Sequence, residues 1–279
     1  MIIDSHTHLF PPDMQRQRER YFANEPSFES IYSSDKAKMV GAETLIKAMD
    51  THGVDRSVVF GFPWHSAEHF QPHNDYILES VARFPDRLIG LCCLNPVHPR
   101  AETEVKRCLE SGLRGVGELA FYGQGLNQGC LDALAPIMAL CRTYQWPLML
   151  HVNEPIGHRY PGKAPLTLGQ IHTFVTTFPD NDLVLCHWGG GLFFYGLLKK
   201  QLPEDLRRVY FDTAASPYLY QPAVYRIATE IVGAEKILLG TDFPLLPVSR
   251  YLAEIEASQL SPEAVNAITG QNAKRLFRI

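Results

Sequence analysis

Met1-Ile2-Ile3-Asp4-Ser5-His6-Thr7-His8-Leu9 opens the chain. An apolar, β-branched start suits a buried strand. In a strand, residues two apart share a face, so His6 and His8 project together. Two neutral imidazoles side by side suit a transition-metal ion. The pair gains its meaning from repetition, because the same form recurs along the chain: a short apolar run that ends in a metal-ligating side chain.

The recurring runs are Asp55–Gly61, Arg87–Leu94, Leu113–Leu119, Leu148–Val152, Asp182–His187, Arg208–Thr213 and Lys236–Asp242. Between them the spacing predicts helices over Ala42–His52, His73–Phe84, Arg100–Ser111, Leu131–Tyr144, Leu166–Phe178, Leu192–Gln201 and Gln221–Val232. Two more helices, Ser249–Ala257 and Pro262–Phe277, close the chain. Strands apolar on both faces that alternate with helices imply parallel pairing through right-handed crossovers. Eight such units in 279 residues predict an α/β fold, a (β/α)8 TIM barrel, as a single domain over residues 1–279. An open doubly wound sheet is disfavoured, since no Gly-x-Gly-x-x-Gly follows the first strand. The polar stretch Pro11–Gly41 is too long for an ordinary connection and reads as a loop inserted after strand one, over the mouth of the barrel.

A hydrophobic fraction of 46% and a charged fraction of 20% are those of a globular enzyme. The formal charge of −4, with no basic stripe, argues against a nucleic-acid or membrane-surface partner. Asp4 and His6 interrupt the apolar start, so no signal peptide is expected. No run of about 18 apolar residues is available to span a bilayer. The six cysteines form no Cys-x-x-Cys and several sit in apolar runs, as free thiols do, so the expected location is the cytoplasm. The expected partner is a small-molecule substrate, and self-association into a homo-oligomer stays open.

In a barrel, chemistry gathers at the C-terminal ends of the strands. There the sequence places His6 and His8 (strand one), Glu118 (four), His151 (five), His187 (six) and Asp242 (eight), all ligands for a divalent ion. The residues just past strand ends, Phe10, Trp64, His65, Tyr122, Asn153, His158, Arg159 and Trp188, are candidates for the substrate pocket. Among them Arg159, with His158, suits a substrate carboxylate or phosphate, because a guanidinium binds such groups bidentately.

His-Thr-His at the start, His151 and His187 on strands five and six, and Asp242 on strand eight resemble the amidohydrolase superfamily. His187-Trp188-Gly189-Gly190-Gly191, Asp212-Thr213-Ala214-Ala215, Gly240-Thr241-Asp242-Phe243-Pro244 and Gln271-Asn272-Ala273-Lys274-Arg275-Leu276-Phe277 are similar to its amidohydrolase-2 branch, which also holds decarboxylases, lactonases and hydratases. The resemblance implies a metal on His6, His8, His151 and Asp242. It leaves His187 as ligand of a second ion or as the group polarising the substrate. Zn²⁺ is the expected ion, one or two per chain, with Mn²⁺ as the alternative. Glu118 departs from the one-metal decarboxylase pattern, and the resemblance to two-metal members makes it a bridge between ions.

The expected activity is therefore hydrolysis: metal-activated water attacks a C–O or C–N bond of a lactone, ester or amide. Asp242 would carry the proton and His187 would stabilise the oxyanion. The alternative is non-oxidative decarboxylation or hydration of an unsaturated or aromatic carboxylic acid. A barrel that binds metal or ligand without turnover is a third reading.

Overall fold

The computed structural model describes residues 1–123 and 125–279. Among them the strands are β1 (Ile3–His8), β2 (Arg56–Phe60), β3 (Leu88–Gly90), β4 (Val116–Leu119), β5 (Leu148–Leu150), β6 (Leu183–Leu185), β7 (Val209–Asp212) and β8 (Ile237–Leu238). All pairings are parallel, in two runs, β1-β2-β3 and β4-β5-β6-β7-β8. The runs meet at both edges. Cys92 bridges to Val116 between β3 and β4, and Thr7 bridges to Phe243 beyond β8. At the second seam Ser5 N–H donates to the Leu239 carbonyl at 2.7 Å and Asp242 N–H to the His6 carbonyl at 2.9 Å. The eight strands thus complete a ring, the (β/α)8 barrel expected from the alternation.

The inserted stretch carries its own short helices, α1 (Pro12–Arg16) and α2 (Pro26–Tyr32), with a 3₁₀ turn over Arg18–Tyr21 between them. The outer helices that follow are α3 (Ala42–His52), α4 (Ala67–Arg83), α5 (Ala101–Glu110), α6 (Gln128–Tyr144) and α7 (Leu168–Thr177). Their ends have local causes. Gly53 stops α3 at φ +69°, a conformation open to glycine. The Ser66 hydroxyl caps α4, Asn127 caps α6, and Thr167 with Gln170 forms a capping box on α7. The Ser66 cap also starts α4 six residues before the expected His73, with Pro72 inside the helix.

The helix expected over Leu192–Gln201 does not form. Trp188, Gly189, Gly190 and Gly191 all have positive φ, and the chain runs on in 3₁₀ turns to Leu197 before a short α8 (Leu202–Asp205). The turn before Leu192 is tightly packed, since a Cβ on Gly190 would lie 2.4 Å from the Asn153 carbonyl oxygen. The remaining helices are α9 (Ser216–Leu219), α10 (Val224–Val232), α11 (Val248–Ala257), α12 (Pro262–Asn266) and α13 (Asn272–Leu276), the last two joined by a π-helical turn over Ala267–Gln271.

Two cores result. A large one lies between strands and helices, and a smaller one joins Ile3, Val58, Phe60, Ile89, Leu91, Met149, Val184 and Leu238 to Ala273, Leu276 and Phe277. Side chains from so many strands can touch one another only inside the ring. The lower lumen is therefore packed solid, and α13 seals it.

Candidate metal centre

Above that packed floor, six of the strand-end side chains turn inward. His6 and His8 stand side by side, ring centroids 5.3 Å apart. The ladder between β1 and β2 shifts register between Asp4 and Thr7, so β1 is not a regular strand where it carries His6. Gly240 makes room for it: a Cβ there would lie 2.8 Å from His6 Cβ.

Each histidine is held by one ring nitrogen and offers the other. His6 Nδ1 donates to Asp212 Oδ2 at 2.8 Å, His8 Nδ1 to the Gly61 carbonyl at 3.1 Å and His187 Nδ1 to the Ala214 carbonyl at 3.1 Å. His151 is reversed, its Nε2 donating to the Gly162 carbonyl at 2.9 Å and to Asn153 Oδ1 at 3.1 Å. Such outer partners settle the tautomer. The four remaining ring nitrogens therefore turn toward Glu118 and Asp242, with His151 Nδ1 already within hydrogen-bond reach of Glu118 Oε1 at 2.9 Å.

The distances between these donors are short. Glu118 Oε2 lies 3.6 Å from His6 Nε2 and 3.7 Å from His8 Nε2, while Asp242 Oδ1 lies 3.7 and 3.3 Å from the same atoms. Glu118 Oε1 lies 2.9 Å from His151 Nδ1 and 3.3 Å from His187 Nε2. His187 Nε2 and His151 Nδ1 are 3.2 Å apart. His6 Nε2 is fully buried with no hydrogen-bond partner.

Lone pairs crowded together in a dry site repel unless something positive lies among them. The titration directions say the same. Burial disfavours a charge on His6, yet the carboxylates of Glu118 and Asp212 raise its proton affinity well above the ordinary range. His187 is raised against its burial by Glu118 and Asp242. Burial would push Glu118 up, but His151 and His6 hold it well below the usual carboxylate range. Asp242 is depressed against its burial by the imidazoles of His8, His6 and His187. A field that retains protons on imidazoles equally attracts a divalent cation, with the imidazoles neutral. The donors form overlapping ligand groups, His6–His8–Glu118, His6–His187–Asp242 and Glu118–His151–His187. Imidazole and carboxylate donors of this kind fit a divalent transition metal.

The other candidates are scattered. Phe10, Trp64 and Trp188 have no accessible surface. The Trp64 indole donates to His73 Nδ1 at 2.8 Å, and that of Trp188 to the Ser216 hydroxyl at 2.9 Å. Asn153 is buried as the partner of His151. His158 and Arg159 are exposed on the loop after β5, outside the donor cluster, and His65 is exposed beside the buried Glu25. Tyr122 remains at the mouth, its ring 5.2 Å from His151 and stacked at 6.2 Å on Phe62.

Three contributors escaped the sequence reading. Asp212 is fully buried and holds His6 with one oxygen, and its other oxygen accepts the His187 amide at 2.8 Å. It ends β7 as the other ligands end theirs, which was the available signal. Asp4 lies behind His6, accepting from the Thr241 hydroxyl at 2.6 Å, and burial pushes it up to about 7. Tyr32, at the end of α2, packs on Phe10, Phe28 and Phe62. Burial, then the charges of Asp242 and Glu118, raise its hydroxyl.

The backbone here is unusual. His187, Trp188, Ala215 and Asp242 all have left-handed φ, between +54° and +60°. Each costs about 1–2 kcal/mol relative to an ordinary conformation, so the surrounding contacts must hold it.

A family model described as Amidohydrolase matches residues 3–279. The chain belongs to that family. Among curated relatives of this amidohydrolase are the gamma-resorcylate decarboxylase of Rhizobium radiobacter, 24% identical over 85% of this chain and 87% of that one. Another is the 2-amino-3-carboxymuconate-6-semialdehyde decarboxylase of Dictyostelium discoideum, 24% identical over 87% and 81%. A solved structure of 5-carboxyvanillate decarboxylase from Novosphingobium aromaticivorans, with bound manganese, superposes with a TM-score of 0.79 at 15% identity, covering 100% of this chain and 97% of that one. The expectation of a hydrolase is corrected by these relatives, whose activity is loss of CO₂ rather than attack by water. Among the described residues, no helix is long and apolar enough to cross a membrane.

Proposed function

We propose that this amidohydrolase is a metal-dependent, non-oxidative decarboxylase of a small unsaturated or aromatic carboxylic acid. The observation that carries the reading is the set of overlapping donor groups, His6–His8–Glu118, His6–His187–Asp242 and Glu118–His151–His187, buried beneath Tyr122, whose ring lies 5.2 Å from His151. The decarboxylase relatives support it.

His6, His8, His151 and Asp242 would hold the ion. When bound, the ion would supply Lewis-acid pull on the substrate's oxygens and fix its carboxylate. Mn²⁺ is the first ion to test, given the manganese in the neighbouring structure, and Zn²⁺ suits the same donors. Loss of CO₂ leaves an electron pair on carbon that a proton must take up. Asp242 is the group we assign to deliver it: at 21% side-chain exposure it is the most open of the six donors, and its second oxygen has no protein partner among the described residues. Asp242, ionised at rest beside the imidazoles, would first take up a proton from solvent as the acid binds; the C–C bond would then break, the C–H bond form with that proton, and Asp242 return to its carboxylate. No oxidant and no water is consumed. His187, buried, fixed through Nδ1 and raised toward its protonated form, would donate Nε2–H to Glu118 or to the substrate's oxygen.

The test is CO₂ release from a panel of hydroxybenzoic and unsaturated acids with Mn²⁺ bound, run in D₂O. One deuterium on the carbon that lost the carboxylate is the expected result. No CO₂ from any acid while the ion is fully bound would reject the reading.

A further inference from the structure

We infer that the Tyr251 hydroxyl is the positioning group that sets His187, Asp242 and His6 relative to one another, although it touches none of their side chains. Tyr251 lies on α11, outside the ring, and is fully buried. Its hydroxyl accepts from Ala215 N–H at 3.1 Å and donates to the Thr241 carbonyl at 2.7 Å.

Both peptide groups that it grips are gripped again on their other side. The Ala214 carbonyl, which shares a peptide with Ala215 N–H, accepts from His187 Nδ1 at 3.1 Å. The Asp242 N–H, which shares a peptide with the Thr241 carbonyl, donates to the His6 carbonyl at 2.9 Å. One unbroken chain of hydrogen bonds results. It runs from the His187 ring through the Ala214–Ala215 peptide to the Tyr251 hydroxyl, then through the Thr241–Asp242 peptide to the main chain of His6.

Every bond in the chain points the same way, so each polarises the next. The two peptides that Tyr251 joins belong to Ala215 and Asp242, both in left-handed conformations that ordinary side chains avoid. A phenylalanine would fill the same space and leave each plane held from one side only. Asp242 would lose its aim, and His187 would lose the orientation of its outer acceptor. Outer partners of metal ligands are generally worth about 10–100-fold in metal affinity.

The inference rests on the metal-site reading, and the experiment separates the two. Mn²⁺ is titrated into wild type and Tyr251→Phe, bound ion is followed by electron paramagnetic resonance, and the metal-free proteins are melted in parallel. The expected result is Mn²⁺ affinity weakened by about tenfold or more, at a temperature where both proteins are folded. A variant that melts lower but binds Mn²⁺ as tightly as wild type would show a purely structural hydroxyl and overturn the inference. Wild type that takes up no ion would overturn the metal reading and this inference with it. Should Tyr251→Phe not fold, 3-fluorotyrosine at 251 keeps both hydrogen bonds and reports through its ¹⁹F resonance. A shift of that resonance on Zn²⁺ saturation supports the chain, and an unmoved resonance overturns it.

Discussion

The two ends of the barrel lumen are built from the same strands and face opposite problems. At the lower end Ile3, Val58, Met149, Val184 and Leu238 join Phe277 in an apolar plug, and each buried group is stabilising on its own account. At the upper end β1, β4, β5, β6 and the segment after β8 deliver imidazoles and carboxylates whose nitrogens and oxygens lie 2.9–3.7 Å apart, a spacing that needs a proton or a metal ion among them. The floor gains from closure, whereas the mouth holds its donors together in spite of it and gains only when a cation arrives. Stability and function are thereby assigned to different layers of one ring, and the contrast can be broken by experiment.

The largest effect is expected at the mouth. Asp242→Asn keeps the shape but cannot deliver a proton, so turnover at saturating Mn²⁺ should fall by about 10²–10⁴-fold with little change in melting temperature. A loss under about tenfold would take Asp242 out of proton transfer. The floor should answer in the opposite way. Phe277→Ala removes a fully buried ring from the plug and should cost about 3–5 kcal/mol of stability, with Mn²⁺ affinity at low temperature unchanged. Affinity that fell alongside stability would show the layers to be coupled.

How much of this was legible in the sequence follows from the same contrast. His6, His8, His151, His187 and Asp242 could be read because strand alternation puts them at a known end of a known element. The barrel followed from the same rhythm, and strand ends erred only by a few residues. Asp212 had the identical signal, an acid closing Arg208-Val209-Tyr210-Phe211, and was passed over because its role is to hold His6 rather than to face the mouth. The directions of the Trp64 and Trp188 side chains were not legible for a different reason. Nothing local says which way a ring turns after a strand, and each found a buried acceptor, in His73 and Ser216. Tyr32 packs on Phe62 from an insertion whose path no periodicity encodes. Tyr251 sits with Val248 and Ile255 at helical spacing and reads as plain core, since a hydroxyl's partners on distant loops leave no trace in its own helix.

Outer contacts give the next, smaller effects. Asp212→Asn keeps a hydrogen-bond acceptor for His6 but removes the charge, and Mn²⁺ affinity should weaken by about 10–100-fold. An unchanged affinity would leave Asp212 with only its main-chain bonds to His187 and Ala214. Acidity should act in the same direction. His6 and His187 bind protons more tightly than usual in the metal-free protein, and an ion must displace what they hold. Apparent Mn²⁺ affinity should therefore rise with pH, by up to about tenfold per unit for each proton displaced, and fall as pH drops. Affinity that was flat between pH 6 and 8 would mean that no site proton competes in that window.

The smallest effect is expected at Glu118, and it tests how the mouth is organised. The carboxylate stands between two groups of donors, Oε2 toward His6 and His8, Oε1 toward His151 and His187. That position would let it bridge two ions, as the sequence reading had it, or act as a single counter-charge between the imidazoles. The decarboxylase reading needs one ion, so we expect one Mn²⁺ per chain in wild type. In Glu118→Gln the amide still occupies the gap but supplies no charge, and the variant should also bind one ion, about tenfold more weakly, at the low end of what outer partners contribute. Elemental analysis after saturation and desalting reads the stoichiometry, and a titration reads the affinity. Two ions in wild type falling to one in Glu118→Gln would defeat this expectation and make the carboxylate a bridge. The mouth would then be two metal sites sharing a wall, and His187 would belong to the second.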